Sequence, residues 1–335
     1  MAGANMDEAR KAQGELDFKS PISETSLLTL YFKAQETRRP DRIIEDPKAV
    51  EILEKLGVDM SRFRDKRMSQ VGTVIRVRRF DRQTRRILAE WDRPVVVHLA
   101  CGLDDRFLRT DSGKGVQVDL DLPDVMAVRE RFLPGSERNP QIGASMFETA
   151  WMDELLERYP GHRFAFIMEG VLMYLQEPDI KGLFRNLAQR FPGGELHFDT
   201  VSPWMARNSK MHDSIREYGD DVRFNWGLGD LRDIESWDPT LEFVEAEYYV
   251  NQELRRWGWA VLLNLIPPLA RGARMLLYRI RQERPSDRKR AKKRAPKKVL
   301  TSHRKAPAGM KFPAGALPNE PYSTSSKLRG SPMGR

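Results

Sequence analysis

Between Val95 and Val201 four short apolar runs, VVVHL, GVQVDL, FAFIME and GGELHFDTV, alternate with segments of helical length. Runs this short and this rich in β-branched or aromatic residues bury themselves best as parallel strands with helices on both faces. The chain is therefore predicted to be an α/β protein with a doubly wound sheet. Upstream, helices are predicted over residues 26–37 and 73–90. Between them AVEILEKL is a third, with Asp46 as its N-cap, Pro47 in its first turn and Gly57 as its C-terminal stop. Helices are also predicted after Pro123 and over 179–190. Late in the chain, runs at 241–250 and 274–280 are predicted to pair antiparallel at the sheet edge.

Charge divides the chain in two. The net charge is +9, but residues 281–335 hold 16 Lys/Arg against 3 Asp/Glu, a net of +13, so the preceding 280 residues carry −4. The basic segment is rich in Pro, Lys, Arg and Ser and has no hydrophobic period, so it is expected to be disordered. It reads as a solubilising extension, or as a tether for nucleic acid or an anionic surface. No apolar run is long enough to span a membrane: WAVLLNLIPPLARGARMLLY is broken by Pro267 and Pro268 and carries Arg271 and Arg274. The polar N-terminus has no signal-peptide core, which makes a cytoplasmic protein the expectation. Cys101 is the single cysteine, and His98, His162, His197, His212 and His303 show no metal-ligand spacing.

In a doubly wound sheet, ligands sit beyond the carboxyl ends of the strands. In VVVHLACGLDDRF, Gly102 permits a tight turn and close approach of backbone to ligand, helped by the small Ala100 and Cys101. The loop is neither G-x-G-x-x-G nor a P-loop, which argues against a pyrophosphate ligand. Asp119 and Asp121, at the end of the next strand, suit the hydroxyls of a ribose, or a helix cap. Arg76, Arg78 and Arg79 in VIRVRRFD lie on a helix and offer forks for a carboxylate.

The segments ETSLLTLYFKAQETRRPDRIIEDPKAVEIL, QVGTVIRVRRFD, VVVHLACGLDDRF, VDLDLPDV and EGVLMYL, in that order and spacing, resemble the leucine carboxyl methyltransferase family. The likeness is strongest to its bacterial branch, the O-methyltransferases of polyketide-synthesis (tetracenomycin) type, which also shows segments like FPGGELHFDTVSP, FNWGLGD and RRWGW. It spans residues 24–281. The resemblance implies a class I S-adenosylmethionine-dependent methyltransferase fold: a Rossmann-like seven-stranded sheet with its last strand antiparallel, beneath a helical N-terminal cap. It divides the chain into a flexible N-terminus (1–22), a methyltransferase domain (23–281) and the disordered basic tail (282–335). The implied cofactor is S-adenosyl-L-methionine, with no metal.

Carried over residue by residue, Arg78, with Arg76, matches the arginine motif that holds the donor carboxylate. Gly102 and Asp104 match the loop around the methionine moiety, and Asp121, or its neighbour Asp119, matches the ribose acid. Ser145 and Met146 fall where adenine is lined. Glu169 matches the acid that opens EG-x-LMY, beside the donor's amino group or the acceptor. The loop departs from the family's LGCGLDTR at two positions. Ala100 replaces a glycine and is expected to have a negative φ. Asp105 replaces a threonine and is expected near the sulfonium, or paired with Arg106. Glu169, Tyr174, Asp199 and His212 are the candidate bases for an acceptor hydroxyl, whereas an acceptor carboxylate needs none. Trp204, Met205, Met211, His212, Phe224 and Trp226, in the insert after the fourth strand, would suit a flat aromatic acceptor. The expected activity is methyl transfer to an oxygen of a small molecule. Its alternatives are carboxyl methylation of a protein C-terminus and a nucleic-acid-associated role carried by the tail.

Overall fold

The computed structural model describes residues 21–209 and 222–282. The expectations for the N-terminus and the basic tail, and those for Met211 and His212, fall outside these residues, save for 21, 22 and 282. Three helices come first: α1 (Pro21–Thr37), α2 (Pro47–Leu56) and α3 (Arg67–Glu90). The Asp46 carboxylate accepts from Ala49 N at the start of α2, and Gly57 closes it in the left-handed conformation at φ 61°, as the capping residues predict. Then β1 (Pro94–Leu99), α4 (Arg106–Thr110), β2 (Val116–Asp121), α5 (Pro123–Glu130), β3 (Gln141–Gly143), α6 (Ala150–Arg158), β4 (Arg163–Met168), α7 (Glu177–Arg190) and β5 (Glu195–Val201) alternate along the chain. A short α8 (Pro203–Arg207) precedes the last strands, β6 (Leu241–Tyr248) and β7 (Ala273–Ile280).

The strand order is β3-β2-β1-β4-β5-β7-β6. β1 to β5 pair in parallel, and β7 runs antiparallel between β5 and β6. Side chains of the central strands alternate between two cores. Val95, Val97 and Leu99 join Phe166 and Met168 against α6 and α7, through Leu155, Leu183 and Leu187. Val96 and Ile167 face the other way, onto Ile75, Ile87 and Leu88 of α3. Each fully buried Val, Leu or Phe contributes about 1.5–3 kcal/mol, which pins the register of β1 between β2 and β4.

The sequence pattern does not predict β3, α4, α6 or α8. β3 has three residues and a single partner, too short to show a period. α6 shows its signal only in Trp151, Met152 and Leu155, which form its buried side. Among the described residues no helix is long and apolar enough to cross a membrane.

Candidate active site

The turn after β1 contains two left-handed residues, Gly102 and Ala100, both at φ 54°. The negative φ expected of Ala100 is thus overturned: Cys101 N donates back to Leu120 O of the neighbouring strand, and the residues on either side of that bond are both left-handed. A non-glycine residue held there costs roughly 1–2 kcal/mol. Glycine would recover this, less about 0.5–1 kcal/mol for its extra chain entropy. Ala100→Gly is therefore expected to raise Tm by about 1–3 °C in calorimetry. An unchanged or lower Tm would show that the turn does not strain Ala100.

A cavity of about 240 Å³ lies over the ends of β1, β2 and β4, walled by Ala100, Gly102, Asp121, Ser145, Met146 and Glu169. Asp121 is held by two amides, Gly102 N–H to Oδ2 and Leu122 N–H to Oδ1, each 2.7 Å. Burial pushes its carboxyl upward, against those two bonds. Each oxygen keeps a lone pair for a ligand hydroxyl. Asp119 behaves differently. It lies two residues back on the same strand face, beneath the turn, where Arg129 Nη2 (2.5 Å) and Asn139 Nδ2 (2.9 Å) take up its Oδ2. It does not line the cavity. Arg129 also donates to Gly102 O (3.0 Å) and Asp104 O (2.6 Å), bracing the turn from below.

The cavity's acids are matched to buried cations. Lys33 of α1, which sequence reasoning passed over, is 1% exposed and bonds Asp104 and Asp46 at 2.7 Å each. Burial favours the neutral acid at Asp104, but Arg109, Lys33 and Arg106 outweigh it and hold the carboxyl well below the usual range. The signal for Lys33 was there: a lysine between Leu30 and Ala34, on the helix side that becomes core. Asp105 does not reach the cavity, contrary to expectation. It lies behind it with Lys33 (3.2 Å), Arg109 and Asp46. Burial raises its pKa, with Lys33 and Arg109 opposing. Arg106 serves other acids: Asp81 (3.0 Å), Asp104 (3.1 Å) and Glu169.

Arg76 is the arginine of α3 that faces the site. Its Nε donates to Glu169 Oε1 at 3.1 Å and its Nη1 to Asp199 Oδ2 at 3.3 Å. Gly170, at φ 67°, leaves room for it, because a Cβ there would stand 2.7 Å from the guanidinium. Arg78 is turned away and pairs with Glu253 and with Gln252 (3.2 Å). The reason is helical geometry: two residues along a helix is a rotation of about 200°, so Arg76 and Arg78 cannot share a face.

Asp81, Arg106, Glu169, Arg76 and Asp199 thus form a ladder of alternating charge across the strand ends. Its last member accepts three bonds, from Gly170 N (2.6 Å), Arg76 and Tyr249 Oη (3.0 Å). Burial and the Asp199 charge push the Tyr249 hydroxyl well above its ordinary value, so it remains a donor. Tyr249 had no motif to mark it, since it meets Asp199 only through the fold.

A second, apolar cavity of about 370 Å³ shares Thr25, Thr29, Arg76 and Gly170 with the first. Leu28, Phe32, Met173, Tyr174, Tyr249 and Trp257 are in its wall. Of the aromatic and Met residues expected to suit an acceptor, Trp204, Met205 and Phe224 line it. Trp226 does not: it is 4% exposed and packs on Trp237 in the sheet core.

A seven-stranded sheet in this order, with one antiparallel strand and a cavity at its carboxyl ends rich in acids and poor in glycine, defines a class I S-adenosylmethionine-dependent methyltransferase. Residues 26–188 match the leucine carboxyl methyltransferase family. The chain is 36% identical over 274 residues to the tetracenomycin polyketide synthesis O-methyltransferase TcmP of Streptomyces glaucescens, covering 79% of this chain and 99% of that one. It is 25% identical over 282 residues to the S-adenosyl-L-methionine-dependent methyltransferase dpfgK of Gibberella zeae, covering 77% and 91%. The chain belongs to the leucine carboxyl methyltransferase family.

The first cavity fits that donor chemically. S-adenosylmethionine carries a sulfonium, an ammonium and a carboxylate, and the lining offers the acids Asp104, Asp121 and Glu169 with the cations Lys33 and Arg76. At Gly102 a Cβ would stand 3.0 Å from Ser26 Cβ, so α1 closes directly onto the turn.

Proposed function

We propose that this enzyme transfers a methyl group to an oxygen of an apolar small molecule, and that the oxygen is a carboxylate. One observation carries the reading: the two cavities share Arg76 and Gly170 in their walls, and the acids at that junction are already bonded. Asp199 accepts three donors and Glu169 is gripped by Arg76 and Arg106. Both carboxylates thus already accept charge-assisted hydrogen bonds from buried donors. Tyr249 donates its own proton to Asp199, so none of these three groups stands without a partner at the junction. An ionised acceptor needs no proton removed, and Arg76 offers it an opposite charge.

In this reading Asp121 takes the ribose hydroxyls and Ser145 and Met146 flank the adenine. Asp104, Glu169 and the Gly102 turn surround the methionine moiety, while Lys33 and Arg76 face its carboxylate. Arg76 thereby replaces Arg78 as the working arginine. Bound donor supplies an activated methyl on a cationic sulfur, and the chain's task is to align the acceptor in line with it and exclude water. The name of the tetracenomycin relative supports a polyketide-like acceptor. A protein C-terminus fits less well, because most of the second cavity's surface is apolar, through residues such as Leu28, Phe32, Met173 and Trp257, although Ser69, Thr73, Thr200 and Asn208 also line it.

The test has two stages. Calorimetry with S-adenosylmethionine should show binding; no heat would end the methyltransferase reading for this cavity. Labelled donor and a metabolite extract should then yield an apolar product whose label is released as methanol by mild alkali, the mark of a methyl ester. An alkali-stable label would make the acceptor a hydroxyl.

A further inference from the structure

The outer wall of the second cavity is unusual. Trp257 and Leu269 face into it, and the chain between them turns large apolar side chains to water: Trp259 is 74% exposed and Leu265 79%, with Leu262 and Ile266 beside them and Leu254 just before. Ala260, at 2%, anchors the segment. Isolated exposed apolar residues are ordinary, but a cluster of this kind marks an interaction surface.

Within the segment itself the charge is one-sided. From Leu254 to Arg281 there is no Asp or Glu. Arg255 and Arg271 are exposed and make no ion pair among the described residues. We propose that this face docks on an anionic lipid bilayer, with Trp259, Leu262 and Leu265 entering the headgroup boundary and the two arginines at the phosphates. Trp and Leu flanked by snorkelling Arg is the composition of an interfacial surface. A second copy of the chain fits poorly. A two-fold contact sets a patch against itself, and this segment offers its own arginines no acid to pair with. Residues 1–280 carry a net −4, so an anionic membrane repels the rest of the body and selects this face. The run KRAKKRAPKK at 289–298 adds long-range attraction. Docked this way, the acceptor cavity lies just behind the membrane contact, so apolar acceptors can enter from the lipid. That consequence, unlike the docking itself, rests on the function proposed above.

The experiment is co-sedimentation of the full chain with vesicles of phosphatidylcholine, alone or mixed with phosphatidylglycerol, beside calorimetry with S-adenosylmethionine. The chain should pellet with the anionic vesicles only. A Leu262→Asp/Leu265→Asp variant should bind them at least about tenfold more weakly while taking up donor like the parent. Equal vesicle binding by parent and variant would assign all of it to the basic tail and overturn the docking face. So would a parent that ignores vesicles but forms a dimer the variant breaks. If the variant fails to fold, brominated lipid decides: quenching present in the parent and lost in Trp259→Phe supports insertion, whereas equal quenching in both refutes it. Donor binding is read separately, so failure here leaves the methyltransferase reading intact.

Discussion

Arg76→Ala is expected to reduce methyl transfer by about a thousandfold or more, while Arg78→Ala leaves it within about twofold. The two arginines lie two residues apart in the motif, but of the pair only Arg76 lines both cavities. Its guanidinium bridges Glu169 and Asp199, and removing it leaves two buried carboxylates short of a donor. Breaking a buried pair in this way costs about 3–5 kcal/mol. Part of that loss should appear as a lower Tm, and part as misplacement of the groups that orient donor and acceptor. Arg76→Lys keeps the charge but not the fork that spans both acids, so it should fall between. Arg78 pairs with Glu253 on a surface where both are about one-third exposed, and such pairs are worth at most about 1 kcal/mol. Calorimetric donor affinity, single-turnover rate and Tm for the three variants are the measurements. Equal losses at Arg76 and Arg78 would contradict the assignment of Arg76 as the working arginine.

Asp121→Ala should weaken donor binding by about 30- to 100-fold and barely move Tm. A hydrogen bond to a charged group is worth about 1.5–3 kcal/mol, and the variant loses the acceptor for the ribose hydroxyls. The amides of Gly102 and Leu122 that now bond Asp121 are released towards a cavity that admits water, which limits the cost to stability. Asp119→Ala should show the opposite profile. It strips Arg129, 1% exposed, of its carboxylate partner, and Arg129 braces the carbonyls of Gly102 and Asp104. A loss of about 3–5 kcal/mol in stability is expected, with donor binding weakened only as the turn loosens. If Asp119→Ala binds the donor poorly at full stability while Asp121→Ala binds normally, the two acids have been assigned the wrong way round.

Much of the frame can be read along the chain because its causes are local. The caps of α2 depend on Asp46, Pro47 and Gly57 and on nothing distant. β1 and β4 declare themselves through apolar runs buried on both faces. β3 escaped notice for the same reason in reverse: three residues, partly exposed, contain too little pattern. At the site, the motifs bring the eye to the correct turn and strand ends but not to the correct member of each pair. Choosing Asp121 over Asp119 requires knowing where β2 emerges from beneath the turn. Choosing Arg76 over Arg78 requires the rotation of α3 against the sheet.

Sequence alone determined the α/β architecture, the placement of the ligand-binding edge, and the family, because hydrophobic period, capping chemistry and motif order are properties of neighbouring residues. Tertiary structure decided the electrostatics. Arg76 and Asp199 are 123 residues apart in the chain and Lys33 and Asp104 are 71 apart, so no local pattern records their pairing. The left-handed Ala100, the displacement of Asp105 from the cavity and the three bonds that Asp199 accepts from Gly170, Arg76 and Tyr249 arise only when helices α1 and α3 close over the strand ends. Burial then makes each charge depend on partners that the fold brings to it.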